Sequence, residues 1–256
     1  MTTVQGALLD LDGVLYVGGT LLPGAREALE RLRARAMPVR FVTNTTRRPR
    51  RMILADLSAM GVTIGDEELV TPSGAACAWL KERGLSPHLL VHPNLKEDFT
   101  DVLSGGAQAV VIGDAGSGFT YGALNRAFRL LMSGAPLLAL AKNRYFREPD
   151  GLSLDAGPFV AALEFASGRS AEVVGKPAPA FFRTAAAGLG CLPEDTVMVG
   201  DDVEADVNGA VAAGLQAILV RTGKFQEQDL ERLHADAAVV ADFAAAVDRI
   251  LAESAG

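Results

Sequence analysis

Residues 6–12 read Gly-Ala-Leu-Leu-Asp-Leu-Asp, and this stretch decides the fold. A short apolar run that turns abruptly acidic is typical of a buried parallel strand that ends in a functional loop. The chain then continues with an amphipathic helix over Pro23–Arg35, a strand over Pro38–Asn44 and a second helix from about Pro49 to Met60. Strand, helix, strand, helix is the rhythm of a parallel sheet with crossover helices.

The same rhythm returns near the end of the chain. The predicted elements there are a strand that runs into a loop over Ala171–Lys176, a helix over Pro177–Leu189, a strand over Thr196–Asp202, a helix over about Ala205–Ala213, strands over Gln216–Arg221 and Ala237–Ala241, and a last helix over Phe243–Ala252. Residues between about 73 and 170 also alternate strand and helix, and the polar stretch Lys142–Asp155 is interpreted as a loop. The sequence therefore predicts an α/β protein with a Rossmann-like parallel-sheet core, residues 1–72 and 171–256, and an inserted α/β domain, residues 73–170.

Composition narrows the function classes. The 256 residues carry a formal net charge of −7 without a Lys/Arg-rich run, whereas nucleic-acid binding normally requires a basic face. No apolar run reaches the ~20 residues of a membrane-spanning helix, and the first residues lack the pattern of a secretory signal. We therefore expect a cytoplasmic protein with no nucleic-acid and no membrane partner. The histidines at 88, 92 and 234 lack metal-ligand spacing and are interpreted as surface or structural residues.

Polar residues follow four of the predicted strands. They are Asp10 and Asp12, then Thr43 and Asn44, then Lys176, and finally Asp201, Asp202 and Asp206. In an open parallel sheet the carboxyl ends of the strands lie along one edge, and ligands bind there where the strand order reverses. We therefore expect carboxylates, a hydroxyl, an amide and one ammonium to converge at this edge.

This set of groups suits phosphoryl transfer. Clustered carboxylates repel one another unless a cation lies between them, and an oxygen-only ligand set favours Mg²⁺. Mg²⁺ and Lys176 would neutralise a phosphoryl group, to which Thr43 and Asn44 could donate hydrogen bonds. Asp10 would attack phosphorus and form an aspartyl-phosphate. Asp12 could protonate the leaving oxygen and then activate water.

The motifs at these positions resemble those of the haloacid dehalogenase superfamily. The matching stretches are Asp10–Val14, Val42–Asn44, Gly175–Pro177 and Gly200–Asp202 with Asp206. The long insert between the second and third motifs resembles the large α/β cap of subclass IIA, which includes p-nitrophenyl phosphatase-like members. Further stretches resemble the branch that contains phospholysine phosphohistidine inorganic pyrophosphate phosphatase and haloacid dehalogenase-like hydrolase domain-containing protein 2; they are 41–44, 125–128, 157–159, 172–177 and 220–224.

The resemblance implies a role for each residue. Asp10 is implied to be the nucleophile and a Mg²⁺ ligand, and Asp12 the acid/base that also binds Mg²⁺ through its backbone carbonyl. The phosphoryl group would be held by Thr43, Asn44 and Lys176, and the metal also by Asp201 directly and Asp206 through water. The role of Asp202 stays open between metal binding and helix capping. Relatives of this kind also imply a homodimer formed through the cap.

Other interpretations of the same residues remain. Phospho-accepting signalling domains also place an Asp at a strand end beside Thr, Lys and Mg²⁺, but a built-in acid/base such as Asp12 shortens the life of the phosphoryl group. Dehalogenation through an Asp ester has no need for metal ligands at Asp201 and Asp206. Within the phosphatases, a pyrophosphate or a phosphoamidate is the alternative to a phosphate monoester. Because the pyrophosphatase branch can carry Ser where this chain has Asp12, monoesters are the expected substrates.

Overall fold

The computed structural model describes residues 3–148 and 150–254, with the side chains of 147 and 148 left out. The chain divides into two compact units. The first comprises Met1–Thr43, Leu54–Val70 and Lys176–Gly256, and the second comprises Asn44–Ile53 and Thr71–Gly175. No helix in the described part of the chain has the length and apolarity that crossing a membrane requires.

The helices and strands alternate along the described chain. The strands are β1 Gly6–Asp10, β2 Tyr16–Val17, β3 Thr20–Leu21, β4 Val39–Val42, β5 Leu69–Val70, β6 Ser86–Leu90, β7 Gln108–Ile112, β8 Leu137–Ala139, β9 Tyr145–Glu148, β10 Gly151–Leu154, β11 Glu172–Val173, β12 Thr196–Gly200, β13 Gln216–Val220 and β14 Ala238–Val240. The α-helices are α1 Ala25–Ala34, α2 Arg50–Ala59, α3 Pro72–Arg83, α4 Tyr121–Met132, α5 Ala156–Ser167, α6 Pro179–Ala187, α7 Gly209–Ala212 and α8 Phe243–Glu253. A π-helix, Val203–Asn208, precedes α7.

The first unit is built on a six-stranded sheet in the order β14-β13-β12-β1-β4-β5. Every neighbouring pair is parallel. All five residues of β1 are buried, which explains why the strand is apolar on both faces. The chain proceeds from β1 through β4 to β5 in one direction, and from β12 through β13 to β14 in the other. The order therefore reverses beside β1, and this is where the fold class predicts a ligand site.

The second unit has its own parallel sheet, in the order β11-β8-β7-β6. Alternate residues of its strands pack into two separate apolar clusters. Val111 and Leu138 belong to one cluster, and Val110 and Leu137 belong to the other. Side chains on both faces are buried because helices cover both faces of a parallel sheet. The predicted fold class, an α/β protein with a Rossmann-like parallel-sheet core and an inserted α/β domain, is confirmed.

Two expectations about single elements were wrong. We assigned Ala171–Lys176 to a strand of the core sheet, but only Glu172–Val173 is a strand, and it pairs with β8 in the second unit. Both sheets contain short parallel strands followed by polar residues, so the local pattern does not reveal which sheet a strand joins. We interpreted Lys142–Asp155 as a loop, but it contains the antiparallel hairpin of β9 and β10. Its exposed Leu152 and Leu154 alternate with Ser153 at the period of a strand.

Candidate active site

Asp10 is the last residue of β1 and lies at the carboxyl end of the sheet. Its neighbour in the register is Val42 of β4, so Thr43 follows at the same edge. The Asp10 side chain is buried, and its Oδ1 accepts a hydrogen bond of 2.8 Å from Nζ of Lys176. A buried carboxylate of this kind needs a charged partner, and Lys176 supplies one.

Lys176 joins two of the acids. Its Nζ lies 2.6 Å from Oδ1 of Asp206 in addition to 2.8 Å from Oδ1 of Asp10, and only 3% of its side chain is exposed. Burial opposes the charged form, but the charges of Asp10 and Asp206 outweigh it and raise the pKa of Lys176 above its ordinary value. Lys176 is therefore an ammonium ion in direct contact with Asp10.

Asp201 and Asp206 complete an acidic cluster with Asp10. Asp201 follows β12, Asp206 lies in the π-helix, and both are buried. One oxygen from each of the three carboxylates lies within 4.8 Å of the other two. Burial, followed by the charge of Asp10, raises the pKa of Asp201 and of Asp206 well above the usual carboxyl range. Three acids thus lie together, two of them in contact with the Lys176 ammonium, and the cluster favours additional positive charge.

The cluster has the properties of a site for a divalent cation. Oδ1 of Asp201 is buried and has no hydrogen-bond partner among the residues that the structure describes. A buried carboxylate oxygen left in this way is costly unless a cation or a donor binds it. The donors at the site are all oxygens, which suits Mg²⁺ better than the softer metals that prefer sulfur or imidazole. Asp10, Asp201 and Asp206 therefore fit a magnesium ion by their chemistry.

Asp202 has a structural part in holding the cluster. It is the N-cap of the π-helix, and its Oδ1 accepts hydrogen bonds from the backbone N–H groups of Glu204 (3.1 Å) and Ala205 (2.9 Å). Its own N–H donates to Oδ2 of Asp206 at 3.2 Å. A cap of this kind fixes the first turn of the helix and with it the position of Asp206. The capping role that the sequence left open for Asp202 is present.

The segment Thr222–Lys224, for which the sequence predicted no role, also contacts the cluster. The N–H of Lys224 donates to Oδ2 of Asp201 at 2.6 Å, and Oγ1 of Thr222 donates to the carbonyl of Gly13. A Cβ on Gly223 would clash with both Oδ2 of Asp201 and Cα of Gly13. The segment begins two residues after the end of β13, so the rule that identified the other strand-end residues could have found it.

The other predicted site residues, Asp12, Thr43 and Asn44, lie in different environments. Asp12 keeps contact with solvent, and partial burial together with the negative charge of Asp10 raises the pKa of its carboxyl. Thr43 is buried, and its N–H donates to the carbonyl of Val70 at 3.2 Å. Asn44 belongs to the second unit, unlike the other predicted site residues. The first unit therefore brings Asp10, Lys176, Asp201 and Asp206 into one cluster.

Comparison with known proteins decides the family. Residues 7–107 match the family model described as haloacid dehalogenase-like hydrolase, and residues 173–246 match a second, HAD-hydrolase-like model. The phospholysine phosphohistidine inorganic pyrophosphate phosphatase of Rattus norvegicus is 44% identical over 235 residues, covering 90% of this chain and 87% of that protein. The chain belongs to the haloacid dehalogenase-like hydrolase family. The resemblance predicted from the motifs is confirmed.

Several solved structures are similar to this chain in fold. A 4-nitrophenylphosphatase from Thermotoga maritima has a TM-score of 0.86 at 30% identity, covering 96% of this chain and 97% of that chain. A glycerol phosphate phosphatase from Mycobacterium tuberculosis, solved in complex with magnesium, has a TM-score of 0.79 at 28% identity. The match covers 94% of this chain and 75% of that chain. This haloacid dehalogenase-like hydrolase is an enzyme of the phosphatase type.

Proposed function

We propose that the chain is a Mg²⁺-dependent phosphatase that hydrolyses small phosphate monoesters through an aspartyl-phosphate on Asp10. The observation that carries the proposal is the buried cluster in which Asp10 contacts the Lys176 ammonium and lies beside Asp201 and Asp206. A nucleophilic carboxylate has to approach a phosphate group that is itself negatively charged. Positive charge beside Asp10 is therefore the main requirement of the reaction.

In the first step Asp10 is the nucleophile. One of its carboxylate oxygens forms a bond to phosphorus while the bond from phosphorus to the leaving oxygen breaks. The electron pair of the broken bond goes to the leaving oxygen, which takes a proton from Asp12. The raised pKa of Asp12 supports this role, because it favours the protonated carboxyl that a general acid needs.

In the second step water attacks the phosphorus of the aspartyl-phosphate. Asp12, now deprotonated, accepts a proton from the water, and the bond between phosphorus and Asp10 breaks to release phosphate. Lys176 stays within reach of Asp10 throughout and balances the charge that returns to its carboxylate. Thr43 and Asn44 are proposed to donate hydrogen bonds to the phosphoryl oxygens.

Asp10, Asp201, Asp206 and the backbone carbonyl of Asp12 are proposed to hold Mg²⁺. When bound, the ion would supply the positive charge that lets a carboxylate approach an anionic phosphate ester. Oδ1 of Asp201, which is buried and has no hydrogen-bond partner among the described residues, supports this assignment. The relative solved with magnesium supports the identity of the ion.

Residues 73–170 are proposed to act as a cap domain that limits substrates to small molecules, with residues 1–72 and 171–256 as the catalytic core. Closure of such a domain during the reaction would exclude water. A homodimer formed through the cap is a further proposal, and light scattering in solution would measure it.

Pyrophosphate and phosphoamidates are the second candidate substrates. The relative from Rattus norvegicus carries phospholysine, phosphohistidine and pyrophosphate in its name, and it is 44% identical to this chain. The presence of Asp12 favours monoesters, because an alkoxide is a poor leaving group unless it is protonated.

A panel of substrates tests this proposal. The panel contains p-nitrophenyl phosphate, sugar phosphates, pyrophosphate and a phosphoamidate, each assayed with Mg²⁺ and with EDTA. The proposal predicts Mg²⁺-dependent release of many phosphates per chain, fastest from a monoester. Stoichiometric release alone would point to a phospho-accepting domain, and hydrolysis of only pyrophosphate or phosphoamidates would establish the second candidate.

A further inference from the structure

The second unit contains a cavity of about 570 Å³ at the carboxyl ends of β6 and β7. This volume is within the usual range of small-molecule sites, roughly 300–1,000 Å³. The residues that line it all belong to the second unit, whereas Asp10, Asp201 and Asp206 belong to the first. The cavity is therefore made of other residues than the acidic cluster.

Basic groups dominate the charge of the lining. They come from the loop before α2, from β6, from the 3₁₀-helix Pro93–Phe99 and its N-cap, and from α4, and are Arg47, His88, His92, Lys96 and Arg126. None of the described lining residues is Asp or Glu. The carboxyl ends of parallel strands are the usual place for a ligand in an open α/β sheet, and this unit has such a sheet.

One carboxylate beside the cavity compensates part of this charge. Asp114, which is buried, forms an ion pair with Arg47 and also accepts the N–H of Gly116 at 2.9 Å. The pair fixes Arg47 and the turn that begins the 115–118 stretch of the lining. Arg47 is thus held in place at the wall of the cavity with its charge balanced by Asp114.

The positive charges of Lys96 and Arg126 are not balanced by a carboxylate of the described chain in this way. Both side chains are exposed, and no carboxylate among the described residues lies within ion-pair distance of either. Arg126 and His88 line the same cavity, and burial, followed by the positive charge of Arg126, lowers the pKa of His88. Basic groups gathered without acids repel one another, and an anion placed among them would relieve the repulsion.

We propose that this cavity is a second anion-binding site, for a small polyanion that carries phosphate groups. Arg and Lys side chains are the usual ligands of phosphate, because guanidinium and ammonium groups donate charge-assisted hydrogen bonds. Two unbalanced cations in one cavity suit a ligand with more than one negative charge. The hydroxyl of Ser117, which also lines the cavity, can donate a further hydrogen bond.

Equilibrium dialysis of labelled pyrophosphate against the full-length chain tests the site. The buffer contains EDTA, because the metal-free acidic cluster repels anions whereas the cavity needs no metal. The variants are Arg126→Gln and Lys96→Gln, and the matched control is Arg129→Gln, an exposed arginine on the same helix that does not line the cavity. We expect saturable binding to the wild type, about tenfold weaker binding to each variant, and unchanged binding to the control.

Three results would overturn the site. The first is that the wild type shows no saturable binding of pyrophosphate. The second is that Arg126→Gln and Arg129→Gln weaken binding equally. The third is that Lys176→Met loses binding whereas Arg126→Gln binds as tightly as the wild type. The last result would place the anion at the acidic cluster. Because dialysis does not depend on turnover, its outcome is independent of the proposed phosphatase activity.

A kinetic arm distinguishes two sources of the polyanion. If the ligand is a second phosphate group of the substrate, Arg126→Gln raises KM for a sugar bisphosphate and leaves KM for p-nitrophenyl phosphate unchanged. If the ligand is a separate metabolite, KM for both substrates is unchanged in Arg126→Gln, and pyrophosphate still binds more tightly to the wild type than to this variant.

Discussion

Nζ of Lys176 lies 2.8 Å from Oδ1 of Asp10, and both side chains are buried. The same ammonium lies 2.6 Å from Oδ1 of Asp206, and Asp201 is the third acid of the cluster. Lys176 is therefore a buried cation that balances Asp10 and Asp206 by direct contact. Its removal should leave them unbalanced, since a buried charge without a partner is costly.

Replacement of Lys176 by Met is expected to lower the free energy of unfolding in EDTA by roughly 3–5 kcal/mol, the cost of breaking a buried ion pair. Urea denaturation measures this change. The control is Arg183→Met, an exposed cation on α6 in the same unit, for which a change of no more than about 0.5 kcal/mol is expected. Equal effects of the two substitutions would contradict the importance of the pair.

Millimolar Mg²⁺ is expected to raise the melting temperature of the wild type. Binding to the native state alone adds about 2.7 kcal/mol when the ion is in hundredfold excess over its Kd. Asp201→Asn removes a charge from the cluster and should abolish most of this gain, whereas Asp236→Asn, at an exposed acid, should keep it. Differential scanning calorimetry with and without EDTA makes the comparison, and a melting curve insensitive to Mg²⁺ would count against a carboxylate metal site.

Two glycines with similar positive φ angles provide a matched test of the segment Thr222–Lys224. Gly223 has φ of 61° and Gly18 has φ of 57°. A Cβ on Gly223 would clash with Asp201, whereas a Cβ on Gly18 would have no atom within 4 Å. Both Ala variants bear the strain of the left-handed conformation, about 1–2 kcal/mol.

Only Gly223→Ala should also weaken Mg²⁺ binding, by about 10–100-fold, because the new methyl group displaces Oδ2 of Asp201. The Mg²⁺ concentration that gives half of the full thermal stabilisation measures the affinity of each variant. Equal Mg²⁺ affinity in Gly223→Ala and Gly18→Ala would show that this segment does not position the metal ligand.

The sequence was most informative at the buried parallel strands, where the same stretch predicts a strand of the sheet and the polar residues of the site that follow it. β1, β4 and β12 were predictable because buried parallel strands are continuous apolar runs, and the polar residues that follow them meet at one edge. β11 was assigned to the wrong sheet, since pairing partners far apart in the chain leave no local pattern. The segment Thr222–Lys224 also follows a strand, but its contact with Asp201 is made by the backbone N–H of Lys224, a group that does not differ from one residue type to another.

Asp12→Ser is expected to slow the hydrolysis of an alkyl phosphate more than that of pyrophosphate or a phosphoamidate. A general acid contributes about 10²–10⁴-fold when the leaving group is a poor one. When pyrophosphate is cleaved, the leaving group is phosphate, which is a comparatively stable anion. The leaving nitrogen of a phosphoamidate can be protonated by solvent before the bond breaks. The ratio of kcat/KM values for the three substrates in each protein tests the argument, and an equal loss for all three would show that Asp12 does not act on the leaving group.

The central claim is that Asp10 forms an aspartyl-phosphate during turnover. Mass spectrometry of protein quenched with acid during turnover tests it most directly. The account predicts a phosphoryl group on the Asp10 peptide of the wild type, and none in a folded Asp10→Asn variant whose kcat falls by more than about 10³-fold. A phosphoryl group on another residue would contradict the account. So would a folded Asp10→Asn variant that keeps about a tenth of the wild-type kcat, a loss far smaller than removal of a nucleophile causes.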